Sequence, residues 1–67
     1  MDIKRLVGQN IAKFRKERGL SQEELAFETD LHRTYISGIE RGIRNPTIVN
    51  VQKIAEALKC DASDLLK

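Results

Sequence analysis

Sixty-seven residues leave room for one domain, and a single unit over residues 1–67 is expected. With 40% hydrophobic and 33% charged residues the composition is that of a soluble helical domain, and no apolar run approaches the ~18–20 residues a membrane helix needs. The net charge of +2 says little by itself, and the opening MDIKRLVGQN is too polar for a secretory signal, so no membrane partner is expected.

Helix one is predicted from about Asp2 to Arg18, because Ile3, Leu6, Val7, Ile11 and Phe14 recur at three- and four-residue steps and share one face. Gly8 interrupts it, at a cost of roughly 1 kcal/mol relative to alanine, and would let a neighbouring helix come close. Gly19 ends it as a left-handed cap. In the next stretch, LSQEELAFETDLHRTYISGIERG from Leu20 to Gly42, Ser21 and Glu24 form a capping box, so a second helix starts at Gln22 with Leu25 and Ala26 inward. Asp30 takes the left-handed corner, apolar spacing resumes at Ile36 and Ile39, and Gly42 closes a third helix. Helix, tight turn, helix is the arrangement that offers its second member to a DNA major groove.

Pro46 discourages helix at Asn45, so Ile43 to Pro46 reads as a loop. Thr47 caps helix four, whose inward positions are Ile48, Val51, Ile54, Ala55 and Leu58. Asp61 opens a last short helix carrying Leu65 and Leu66. The fold class is therefore all-α, a compact arrangement of five helices with no strand pattern. Cys60, alone and at the end of an apolar helix, reads as a small buried hydrophobe, and the absence of a second cysteine fits a reducing cytoplasm.

In helix three, Ile36, Ile39 and Glu40 point inward and Arg33, Thr34, Ser37 and Gly38 outward. An arginine near a recognition-helix N-terminus can grip a guanine through two bonds, and Thr34 and Ser37 can reach base edges, so these three are the candidate base readers. The missing side chain of Gly38 either lets the helix settle deeper in the groove or relieves crowding against Tyr35 or helix four. Tyr35 either reaches a phosphate with its hydroxyl or simply packs. Between Arg33 and Lys53 four basic side chains face one acidic one, whereas Glu23, Glu24 and Glu28 lie elsewhere. The first N–H groups of helix two, at Gln22 and Glu23, suit a phosphate, and Arg41, Arg44, Asn45 and Thr47 form a second set of candidate phosphate contacts. His32 reads as a helix cap or a phosphate neighbour.

Several spaced motifs resemble the phage-repressor-like (Cro/repressor, or Xre) helix-turn-helix family: Arg15, LSQEELA (Leu20 to Ala26), IS.IERG (Ile36 to Gly42), RNPT (Arg44 to Thr47) and KIAEAL (Lys53 to Leu58). HRTYISGIERGIRN, from His32 to Asn45, is most similar to the controller proteins of restriction–modification genes. The resemblance implies a lambda-repressor-like fold and a transcription regulator that binds double-stranded DNA as a homodimer on a near-palindromic operator. RNA polymerase is a further candidate partner. It also implies that Arg15 pairs with Glu40 across the core, as a desolvated carboxylate requires, and that the side chain of Gln22 contacts phosphate. The alternatives are a phage-type or chromosomal repressor of the same fold, or an antitoxin-like module that grips a protein. Two residues depart from the family pattern, Asp30 and Lys59, both where glycine is common.

One histidine, no nucleophile elbow and no phosphate-cradling glycine loop leave nothing to assemble into a catalytic site, so no enzyme activity, cofactor or metal is expected. Val49, off the inward stripe of helix four, and Leu65 and Leu66 are the expected dimer interface, since the final helix is too short to bury both leucines within its own domain.

Overall fold

A computed structural model describes residues 2–67, and every regular element among them is helical. The order is α1 (Ile3–Glu17), α2 (Gln22–Thr29), α3 (Arg33–Glu40), α4 (Ile48–Leu58) and a 3-10 helix (Ala62–Leu66). The last element corrects the expectation of a fifth α-helix. At its start the Asp61 N–H donates to Asp64 Oδ2 (3.0 Å) and the Asp64 N–H to the Asp61 carbonyl (2.9 Å), so its five residues close one tight turn.

Caps define the ends. Asp2 accepts from the Lys4 N–H at the start of α1, Ser21 and Glu24 cap α2 reciprocally, and Thr47 Oγ1 accepts from the Asn50 N–H at the start of α4. Two helices end on left-handed residues that are not glycine, Asp30 (φ 58°) after α2 and Lys59 (φ 57°) after α4. The departures from the family's glycines thus keep the backbone geometry and carry its strain.

The core gathers Val7 and Ile11 from α1, Leu25 and Ala26 from α2, Ile36 and Ile39 from α3, Ile54, Ala55 and Leu58 from α4, and Leu65 from the 3-10 helix. Helix α1 packs on α3 and on the 3-10 helix, and α2 on α3 and α4. Gly8 permits the first of these approaches: a methyl there would overlap the carbonyl oxygen of Ile39 and crowd that of Glu40. Ile3 and Ile48, expected on buried stripes, are exposed, because each is the first residue of its helix and the first turn overhangs the core. Cys60 is half-buried rather than buried. Partial burial pushes its thiol pKa up, with Asp64 and Asp61 adding to the effect, which keeps the thiol protonated.

Candidate functional site

Helix α3 divides as its period requires. Ile36 and Ile39 are fully buried, Arg33 and Thr34 are exposed, and Ser37 and Tyr35 are half-buried. Gly38 is the exception, buried where an outward position was expected. The stem of Arg44 lies over it, and a methyl at Gly38 would sit 2.5 Å from Arg44 Cγ. The crowding that this glycine relieves is with Arg44 rather than with Tyr35 or α4. The Gly38 carbonyl also accepts from the N–H groups of Ile43 (2.9 Å) and Arg44 (3.1 Å), folding the loop back onto the helix.

From there the Arg44 guanidinium sits over the Tyr35 ring, 5.5 Å from its centroid, where the ring face attracts a cation. The Tyr35 hydroxyl accepts from Asn50 Nδ2 at 2.9 Å. Tyr35, Arg44 and the start of α4 are thereby joined. Arg41, Asn45 and Thr47 are exposed nearby in the chain, although the Thr47 hydroxyl is engaged in capping α4. Among the described residues the ion pairs are Arg15–Glu40 and Lys67–Asp64, so Arg33, Arg41 and Arg44 have no carboxylate partner and are available to an anion. His32 occupies the cap position of α3, but its side chain makes no cap hydrogen bond.

Behind α3 lies a connected polar cluster. Arg15 donates from Nε to Glu40 Oε2 (2.7 Å), from Nη2 to Glu40 Oε1 (2.9 Å) and from Nη1 to the Leu20 carbonyl (2.8 Å). The hydrogen bonds to Glu40 outweigh burial and hold the Arg15 pKa above its ordinary value, so this guanidinium stays charged. Gln22 Nε2 donates to Glu40 Oε1 at 3.0 Å, which fixes the Gln22 amide at the N-terminus of α2 and leaves its second N–H for an acceptor outside the chain. The geometry can therefore present N–H groups from Gln22, a hydroxyl from Tyr35 and unpaired guanidinium groups to a polyanion.

The expected dimer residues separate. Leu65 is corrected: it is 0% exposed, because adjacent residues of a 3-10 turn face different ways and Leu65 is the one that enters the core. Asn10 Nδ2 bonds the Leu65 carbonyl at 3.0 Å and so ties that turn to α1. Val49 (63%) and Leu66 (51%) remain exposed, and Ile48 (88%), expected inside, joins them as exposed apolar surface. Sequence reasoning also missed Asn10 and Asn50. Asn50 follows the capping threonine by three residues, a local signal, but its contact with Tyr35 depends on how α3 and α4 pack.

The helix-turn-helix family matches residues 11–65, which include all of α2, the corner at Asp30 and all of α3. The chain belongs to the helix-turn-helix family. One relative in it is the control protein C.BamHI of Bacillus amyloliquefaciens, 52% identical over 66 residues, covering 97% of this chain and 82% of that protein. Among solved structures, the restriction–modification controller protein C.AhdI from Aeromonas hydrophila superposes with a TM-score of 0.90 at 44% identity, covering 92% of this chain and 94% of that one. The biofilm master regulator SinR, solved in complex with DNA, superposes with a TM-score of 0.87 at 37% identity, covering 91% of this chain and 98% of that one. This helix-turn-helix chain is a transcription regulator closely related to restriction–modification controller proteins.

Proposed function

We propose that the chain binds double-stranded DNA sequence-specifically, as a homodimer on a near-palindromic operator, and acts as a restriction–modification controller. The observation that carries this reading is the outer face of α3 and its following loop, where Arg33, Arg41 and Arg44 stand without carboxylate partners. Arg33, Thr34 and Ser37 are assigned to base edges in the major groove. Gln22, Tyr35, Arg41, Arg44, Asn45 and Thr47 are assigned to the phosphate backbone, where contacts fix register and supply affinity without reading sequence. Val49 and Leu66, without Leu65 and with Ile48, are assigned to the dimer contact. The 52% identity to C.BamHI favours the controller role over a phage-type repressor.

Because dimerisation and DNA binding are coupled by mass action, the concentration of the chain is itself the switch in this reading. RNA polymerase is the protein partner proposed for the DNA-bound form, and Phe27, 88% exposed on α2, is an apolar residue available outside the dimer set. A cytoplasmic site of action accords with the absence, among the described residues, of any helix long and apolar enough to cross a membrane. Selection from a pool of random duplexes, followed by footprinting, tests the proposal. The expected result is one enriched near-palindromic motif with two protected half-sites about one DNA turn (~34 Å) apart. Uniform recovery of all sequences would overturn it.

A further inference from the structure

We propose that Asn50 is a positioning residue for DNA contact: it holds the Tyr35 hydroxyl with its proton free for a phosphate, and steadies the ring over which Arg44 lies. This rests on the DNA-binding reading above and gives a function to a half-buried polar side chain that the reading leaves unused.

Asn50 is anchored on a rigid element. It lies in the first turn of α4, and its backbone N–H is bonded by the capping Thr47 Oγ1 at 3.1 Å. From that position Nδ2 donates to Tyr35 Oη at 2.9 Å, crossing from α4 to α3. A phenol has one proton to donate and lone pairs to accept with, whereas a phosphate oxygen only accepts. With Asn50 filling a Tyr35 lone pair, the phenolic proton is the group left over, and it is the group a phosphate needs. Donation into the phenol oxygen also polarises its O–H bond and makes it a better donor.

The same bond reaches Arg44. The Arg44 stem lies over Gly38 and its guanidinium over the Tyr35 ring, 5.5 Å from the centroid, so the ring forms one wall of the slot that directs this charge. A ring held by Asn50 presents a fixed wall, and a flexible arginine loses less freedom on meeting a phosphate when its path is already set. Three consecutive segments, α3, the loop and α4, thus act as one phosphate-facing unit.

The test is a double-mutant cycle on DNA affinity. Wild type, Asn50→Ala, Tyr35→Phe and the double variant are titrated against the duplex enriched by selection and against a scrambled duplex, over a salt series, with chemical denaturation of each protein alongside. Asn50→Ala is expected to weaken binding to both duplexes on the order of 2- to 10-fold, and to cost nothing further once Tyr35 is replaced by phenylalanine. Asn50→Asp keeps the shape but can only accept, so it captures the Tyr35 proton. Its loss is expected to be larger with Tyr35 present than in the Tyr35→Phe background, and this comparison holds even if Asn50→Ala folds poorly. Wild-type affinity in Asn50→Ala, or additive losses in the cycle, would overturn the positioning role while leaving the DNA-binding reading intact. A wild type with no affinity for any duplex would overturn both.

Discussion

Arg15 holds Glu40 through two nitrogens, and that pair fastens α1 to the last residue of α3. Both side chains are largely withdrawn from water, 11% and 6% exposed, so each ion depends on the other for its solvation. Glu40→Gln should destabilise the fold on the order of 3 kcal/mol, because Arg15 remains buried without its counter-ion. Denaturation of Glu40→Gln, Arg15→Met and the double variant gives the coupling. The double variant should be less damaged than the two single losses combined. Strict additivity would mean that the contact carries no energy.

Lys59 and Asp30 occupy left-handed backbone, with φ 57° and 58°, where a Cβ is strained. Lys59→Gly should therefore raise stability by about 0.5–1 kcal/mol, relief of strain being partly offset by the freedom glycine gains when unfolded. Asp30→Gly should gain less, since a short polar side chain tolerates this region better. The readout is the urea midpoint at unchanged slope. A midpoint that falls for Lys59→Gly would show that its side chain contributes more than the corner costs.

What was legible in the chain was what a few neighbouring residues decide. The Ser21–Glu24 capping box, the corner at Asp30 and the inward pair Ile36 and Ile39 each depend on spacing within one turn or two, and each stands in the structure as read. The misreadings share one cause. Whether Leu65 enters the core, whether Ile48 overhangs it, and what lies over Gly38 depend on how a turn or loop packs on the rest of the chain, which side-chain period does not record. The Asn50–Tyr35 and Gln22–Glu40 bonds were invisible for the same reason: fifteen and eighteen residues separate the partners, and no periodicity records their meeting.

Glu24 titrates below the ordinary carboxylate range because the Ser21 backbone N–H, and then its hydroxyl, bond the ionised form. A carboxyl with a depressed folded pKa contributes stability that is present above its unfolded value of 4.5 and is lost as pH falls through the lower folded value. Glu24→Ala should accordingly be less stable than wild type at neutral pH, with the gap closing as pH drops below 4.5. Thermal melts of both proteins from pH 7 to pH 3 check this. A gap that stays constant across the range would assign the loss to helix propensity rather than to the charge.

Arg33 is exposed on α3, whereas Gln22 and Arg44 are held by Glu40 and by Tyr35. Arg33→Ala should cost on the order of 1–3 kcal/mol on the selected duplex and relax preference at one base pair. Gln22→Ala and Arg44→Ala should weaken selected and scrambled duplexes alike, and Arg44→Ala should flatten the salt dependence by removing a counter-ion-releasing contact. Titrations of both duplexes at several salt concentrations separate the classes. Equal losses on both duplexes for Arg33→Ala would move Arg33 to the phosphate set.

Withdrawal of Leu65 into the core sharpens the dimer prediction, because it leaves Leu66 as the exposed member of the pair. A leucine 51% exposed beside a solvated lysine can be replaced by a charge without disturbing the core, so Leu66→Glu should leave the melting temperature of the monomer close to wild type. At an interface between two copies the same substitution sets a carboxylate against its symmetry mate and against apolar surface, and a two-fold contact meets that penalty twice. Leu66→Glu, and Val49→Glu by the same argument, should therefore shift the monomer–dimer equilibrium toward monomer by at least tenfold, a change of ~1.4 kcal/mol. Sedimentation across a concentration series measures the equilibrium, and titration of one half-site against two measures its consequence on DNA. A wild type that stays monomeric at high concentration and binds one half-site as well as two would remove the homodimer from the proposal.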